Sequence, residues 1–354
     1  MSTRPRRRTP TRRRRVVRTV LTTLAALALV AAGLGGVVVW QNSYDLREET
    51  VTVRHGGRTL HGVLALPEEG EGPFPLVVFV HGDGPVDATH DGFYRPMWES
   101  FARAGYASLS WSKPGVAGAP GDWLDQTMED RAREAVDAIA WARQRPDVDA
   151  DRIGLWGASQ AGWVLPAIAA RDGRIRFAVA VSPAVNWHRQ GRYHLLSELR
   201  RDGASDAEVA AALRRRETVL ELLERGAGHA EYVRAVGDPQ GMTAARWRFV
   251  SRNHTADATA GLPALRGLPV LLVLAGHDVN VDTAETESAY RRLLPAPHLR
   301  VAHYPDATHA LLRHEVETDP LRLTLTALWA PRSLFAAGFL SDQRRFLADV
   351  DTYG

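Results

Sequence analysis

Short apolar runs punctuate this chain, and the segments between several of them carry apolar residues at helical spacing. Leu76-Val77-Val78-Phe79-Val80, Phe177-Ala178-Val179-Ala180-Val181 and Pro269-Val270-Leu271-Leu272-Val273-Leu274-Ala275 are continuous, as expected of strands buried on both faces. Tyr106 to Trp111, Arg152 to Trp156 and His298 to Tyr304 read as further strands. Met128 to Arg145 places Ala132, Val136, Ile139 and Ala140 on one helical face, and Pro146 ends it. Met97 to Ala104, Gln160 to Ala170 and Thr283 to Leu294 are also predicted helices, the second with Pro166 anomalously inside it. Such alternation predicts an α/β fold with a mostly parallel central sheet and helices on both faces. Ahead of it, Glu49 to Arg54 alternates like a half-buried strand, Gly56-Gly57 turns, and Thr59 to Leu66 returns. That predicts an antiparallel hairpin at the sheet edge.

Two stretches break the pattern. Residues 183–268 are polar, arginine-rich and helix-like, with Asp206 to Arg225 the longest helical pattern and no buried strand. An insertion of this kind between core strands, carrying Tyr232, Trp247 and Phe249, suits a helical cap over a site better than a separate binding module. Residues 316–340 are unusually apolar for a surface loop, with Leu325, Leu328, Trp329, Leu334 and Phe335. Packing on the core is the expectation, with membrane contact the alternative. Ser341 to Val350 reads as a closing helix.

The N-terminus has its own pattern. Thr19 to Trp40 is 22 residues without a charge. As a helix it spans about 33 Å, enough to cross a bilayer core. Nine arginines within residues 1–18 mark a cytoplasmic side, and Trp40 and Tyr44 the far interface. The organisation expected is a disordered basic tail over 1–18, a transmembrane helix over 19–40 and one domain over 45–354 outside the cytoplasm. The alternative is a signal peptide cleaved near Ala31-Ala32, which would secrete the domain.

Charge and cysteine content narrow the chemistry. With the nine N-terminal arginines set aside, 35 basic residues face 41 acidic ones, so nucleic-acid binding has no support despite the net charge of +3. The 354 residues include no cysteine, which excludes disulfides, thiolate nucleophiles and cysteine-ligated metals.

The candidate chemistry lies just past three predicted strands, at the edge where parallel sheets place their sites. Gly157-Ala158-Ser159-Gln160-Ala161-Gly162 follows one of them. Small residues there permit a sharp strand-to-helix turn that presents Ser159 at its tip. Serine is a poor nucleophile at its own pKa, so it needs a base. His309, after the last strand, is the candidate, with Asp278 to orient its ring and stabilise its protonated form. The oxyanion needs donors, for which the backbone N–H of Gln160 and that of Asp83 or its neighbour are the candidates. The rivals are Ser110 and Ser182, His277 and His303, and Asp282 and Asp306. His81, in the turn after its strand, is expected to be structural.

As a set these motifs resemble bacterial α/β-hydrolases related to dienelactone hydrolases, prolyl-oligopeptidase-type peptidases and acyl-CoA thioesterases. His81-Gly82-Asp83-Gly84-Pro85 is similar to their His-Gly-Ser-Gly-Pro oxyanion loop, with Asp83 in place of serine. Ser112-Lys113-Pro114-Gly115-Val116 resembles their Asp-Lys-Arg-Gly-Val loop, with proline in place of arginine. Gly154 to Gly162 resembles their elbow, with Ala161 in place of glycine. Asp278-Val279-Asn280-Val281 and Pro305 to Leu312 resemble their acid turn and histidine loop, and the likeness covers roughly residues 50–310.

The resemblance implies an α/β-hydrolase fold, and a serine hydrolase acting through Ser159, His309 and Asp278 by an acyl-enzyme route. An acyl ester, thioester or short peptide would be the substrate, and no metal or organic cofactor is implied. The membrane is the one other expected partner, through the N-terminal helix. Peptidase and acyltransferase activities would use the same residues, and a catalytically silent binding protein of the same fold is the non-enzyme alternative.

Overall fold

The structure, a computed structural model, describes residues 12–55, 57–237 and 241–350 of the 354. It opens with α1 (Arg12–Gln41). Residues 1–11 of the expected disordered tail lie outside the described residues, but residues 12–18 are helical rather than disordered. Arginine is a good helix former, and extending a helix already nucleated by the apolar run costs little. Residues 16–41 of α1 are long and apolar enough to cross a membrane, and their most apolar window has no residue buried against the rest of the protein.

The sheet follows. Its strands are β1 (Leu46–His55), β2 (Arg58–Pro67), β3 (Phe74–Val80), β4 (Ala107–Trp111), β5 (Val148–Ala158), β6 (Ile175–Val181), β7 (Val270–His277) and β8 (Leu299–Thr308). Their order is β1-β2-β4-β3-β5-β6-β7-β8. The β1–β2 and β2–β4 pairs are antiparallel and the rest parallel, so the predicted hairpin forms one edge. This is the α/β-hydrolase fold.

Between the strands run α2 (Arg95–Ala102), α3 (Met128–Ala142) and α4 (Leu165–Arg171), and after β7 α9 (Thr283–Leu293). Among the described residues, four α-helices lie between β6 and β7: α5 (Trp187–Arg201), α6 (Asp206–Glu224), α7 (His229–Val236) and α8 (Ala244–Asn253). Among the described residues of that segment there is no strand, only an isolated bridge between Asn186 and Asp257. The chain closes with α10 (His314–Glu317), α11 (Pro320–Trp329) and α12 (Phe339–Val350).

The continuous apolar runs are explained by burial on both faces. Leu76 and Val78 of β3 pack with Leu155, Ile139 and Ile168 on one side of the sheet. Val77 and Phe79 pack with Trp98, Phe101, Trp156 and Phe177 on the other. Each such side chain contributes about 1.5–3 kcal/mol on removal from water.

Two expectations are refined. The helix predicted over residues 160–170 is two elements: a 3-10 turn over Ser159–Trp163, then α4 from Leu165. Pro166 therefore stands in the first turn of α4, where no N–H is required of it, and the anomaly disappears. The segment 316–340 divides. Leu334, Phe335 and Phe339 are buried in the core as expected, but Leu321, Leu325 and Leu328 of α11 are exposed.

Candidate active site

The parallel register aligns the ends of β3, β5 and β6, with β7 and β8 running a few residues further together. Val80 pairs with Gly157, Ala158 with Val181, Val181 with Val273, and His277 with Thr308. The residues that follow, His81, Ser159, Asp278 and His309, thus gather at one end of the sheet although they span most of the chain. Ser159 has φ +54°, a strained conformation for a residue with a Cβ. Small neighbours make room for it. A Cβ on Gly157 would lie 2.8 Å from the Ala161 Cβ, and one on Gly162 would lie 2.4 Å from the Ala184 carbonyl oxygen.

Asp278 is buried and its carboxylate accepts three hydrogen bonds. Oδ1 takes the backbone N–H groups of Asn280 and Val281, each at 2.8 Å, and Oδ2 takes His309 Nδ1 at 2.8 Å. With Nδ1 donating, Nε2 is the unprotonated nitrogen of a neutral His309 ring. Ser159 and His309 line one cavity of about 550 Å³, with no hydrogen bond between them among the described residues. Gly82, Asp83 and Gln160 line it as well, with an apolar wall that includes Phe93, Trp156, Trp163, Trp187 and Phe249.

Helices α5 and α8 complete the cavity. From α5, Tyr193 Oη donates to the Asp278 carbonyl at 2.9 Å, Gln190 Nε2 donates to the Asn280 carbonyl at 3.1 Å, and His194 Nδ1 meets the Val279 carbonyl at 3.1 Å. From α8, Arg246 forms a two-pronged ion pair with Asp83. Burial alone would raise the Asp83 pKa. The Arg246 bond and charge, with Lys113 nearby, reverse that and hold the carboxyl below its usual range.

Beneath the loop after β3 lie two basic side chains, neither among the candidate site residues named from the sequence. Lys113, the only lysine in the chain, donates to the Gly82 carbonyl at 2.6 Å and the Gly84 carbonyl at 2.8 Å. Arg131 donates to the His81 carbonyl and, at 2.6 Å, to Gln160 Oε1, while Gln160 Nε2 donates to Asp83 Oδ1 at 3.0 Å. A trans peptide holds its C=O and N–H on opposite sides. Drawing the Gly82 oxygen toward Lys113 therefore turns the Asp83 N–H the other way. Burial, with repulsion from Arg131, lowers the Lys113 pKa to about 6. Two signals were present in the sequence: the lone lysine, and an arginine at an apolar position of a helix. Ala132, Ala135 and Ile139 follow it on the buried side of α3.

The His81 ring is buried and does not line the cavity. Its Nε2 contacts the Trp111 carbonyl at 2.5 Å and its Nδ1 the Tyr94 hydroxyl at 2.9 Å. A carbonyl accepts only, so Nε2 carries the proton and Nδ1 accepts from Tyr94. Burial and the Lys113 charge lower its pKa to about 3, so it stays neutral. The rivals lie elsewhere. Ser110 and Ser182 are fully buried. His277 stacks on His314, His303 pairs with Glu287 at 2.7 Å, and Asp282 caps α9 through the Glu285 N–H. Asp306 does not line the cavity. No group of three or more carboxylate or imidazole side chains suited to a metal occurs among the described residues.

Residues 56–304 match the model of the family described as X-Pro dipeptidyl-peptidase (S15 family). Esterase EstD of Thermotoga maritima is 22% identical over 288 residues, covering 78% of this chain and 63% of its own length. The chain thus spans less than two thirds of that relative, and smaller shares of several others. Among solved structures, DcsB in complex with its substrate analogue superposes with a TM-score of 0.58 at 15% identity, over 86% of this chain and 99% of that one. The Pyrococcus furiosus esterase Pf2001 gives a TM-score of 0.53 at 14% identity, over 86% and 91%.

Proposed function

From its membership of the S15 family of α/β-hydrolases, to which this chain belongs, we propose that the protein is a serine hydrolase cleaving acyl esters through Ser159, His309 and Asp278. The observation that carries the reading is the strained Ser159 on the wall it shares with an imidazole already bonded to a buried carboxylate. His309 Nε2 takes the Ser159 proton as Oγ attacks the carbonyl, and Asp278 stabilises the imidazolium formed. The tetrahedral oxyanion is held by the N–H groups of Gln160 and Asp83. His309 returns the proton to the leaving alcohol, and water then releases the acid by the same steps in reverse.

The cavity chemistry favours an uncharged ester. A peptidase removing dipeptides from a free N-terminus must bind an ammonium group. Among the described residues the one carboxylate on the cavity wall, Asp83, is already paired with Arg246. Helices α5 to α8 act as a cap that shapes the acyl pocket. Helix α1 anchors the domain to the membrane, with its arginines cytoplasmic and the cavity on the opposite side.

A fluorophosphonate probe tests the reading. Label is expected on Ser159, lost in Ser159→Ala and suppressed in His309→Ala. Hydrolysis of p-nitrophenyl acyl esters is expected to exceed that of X-Pro p-nitroanilides. A folded protein that takes no label would be a silent fold, and preferential anilide cleavage would favour the peptidase activity.

A further inference from the structure

Helix α11 presents apolar side chains to solvent. Leu321, Leu325 and Leu328 are 69%, 47% and 46% exposed, and their spacing of four and three residues places them on one stripe. Leu323 packs against the core from the opposite side of the helix, so the stripe points straight outward. No residue of α11 is buried, although leucines make up much of its length.

The position of this helix is fixed relative to the end of α1. Asn42 Nδ2 donates to the Val38 carbonyl of α1 and to the Leu328 carbonyl of α11, each at 2.9 Å. Arg332, just beyond α11, donates to the Gln41 and Ser43 carbonyls, each at 2.7 Å, and stacks on the Tyr44 ring. The same guanidinium grips Glu99 of α2, which is 2% exposed and also accepts the Asp45 N–H. The last turn of α11 is therefore pinned where α1 emerges, beside the exposed Trp40.

We infer that α11 lies in the membrane–water interface, a second membrane contact that seats the catalytic domain on the lipid headgroups. The inference rests on the reading of α1 as a membrane anchor. The occupant of the stripe is lipid because the stripe continues an apolar surface that begins on α1, where Val37 and Val39 are exposed a few residues from the shared Asn42 bond. A helix with leucines on one face and lodged at the headgroup boundary meets the requirements of an interfacial helix.

The absence of cysteine makes depth measurement direct. The full chain, as Leu27→Cys, Leu321→Cys, Leu325→Cys or Arg322→Cys, would carry one nitroxide. It would be reconstituted in vesicles of phosphatidylethanolamine and phosphatidylglycerol. Relaxation by oxygen, which prefers lipid, is compared with relaxation by a nickel chelate, which prefers water. The expected result is a several-fold higher oxygen-to-nickel ratio at positions 321 and 325 than at 322, and a still higher ratio at 27. A lipid-like 27 with a water-like 325 would overturn the inference and leave the anchor intact. Water-like values at both would overturn anchor and inference together. Shielding of 325 from both reagents, with spin–spin broadening that unlabelled chain dilutes away, would make the stripe an interface between two copies and overturn the lipid assignment.

Discussion

Arg246 of α8 and Asp83 of the loop after β3, 163 residues apart in the chain, close a two-pronged ion pair on the wall of the cavity that holds Ser159. The pair ties the helical insertion to the loop assigned the oxyanion. It also neutralises a carboxylate that would otherwise oppose the developing negative charge.

Removing the cation should therefore cost more than removing the pair. Arg246→Ala is expected to lower kcat for acyl esters about tenfold, the effect of about 1.4 kcal/mol of lost transition-state stabilisation. The double variant Asp83→Ser with Arg246→Ala should recover much of that loss. Steady-state kinetics on the four members of the cycle would measure the coupling.

Asp278→Asn keeps an oxygen to accept the Asn280 and Val281 N–H groups but presents an amide to His309 Nδ1. The ring is then pushed to the tautomer that cannot take the Ser159 proton. A kcat loss of about 10⁴-fold is expected, with the thermal midpoint nearly unchanged. Kinetics beside a calorimetric scan separates this from unfolding.

On the proposed mechanism, Lys113 would act on the reaction through the backbone it holds. Lys113→Met frees the Gly82 and Gly84 carbonyls, letting the Asp83 N–H swing away from the oxyanion position. The expected loss is about 10²-fold in kcat with little change in KM, in the range reported for a missing oxyanion donor. The melting temperature should change little, because relief of the buried amine offsets the two lost hydrogen bonds, whereas a general packing defect would lower it.

His81 predicts an acid limb. The unfolded imidazole takes a proton near its ordinary value of about 6.5, the folded one only near about 3. Between those values the unfolded chain holds more protons, so the His81 contribution is lost as pH falls through that window. His81→Gln should be less stable near neutrality, having lost its bonds to Tyr94 and Trp111. Its urea midpoint should nonetheless fall less steeply than that of the unaltered protein between about pH 7 and pH 4.5.

The strand runs were legible because a strand buried on both faces leaves an unbroken apolar signature, as Leu76 to Val80 does. The turn at the candidate site was legible because it imposes its own chemistry, as Gly157 and Gly162 do around Ser159. What stayed hidden depends on partners distant in sequence. Nothing local to Tyr193 or Gln190 announces that α5 will grip the turn after β7, and nothing near Arg246 announces Asp83. The divided fate of residues 316–340 has the same origin. Leucine at helical spacing marks a face that avoids water, but Leu321 and Phe335 look alike until the sheet decides which is covered. Pro166 is out of place only in a helix that begins at the elbow; a 3-10 turn comes first, and the proline opens α4.

The sheet order carries one more consequence. The histidine assigned the general base follows β8, which ends the sheet: its ladder runs to β7 alone, with only a bridge from Ala307 to Arg313 on the outer side, whereas Ser159 follows β5 in the sheet's middle. Terminal strands fray at lower free energy than central ones. Heat inactivation should then begin as a local, reversible detachment of the base from an intact nucleophile, so that warming extinguishes turnover while most of the protein is still folded.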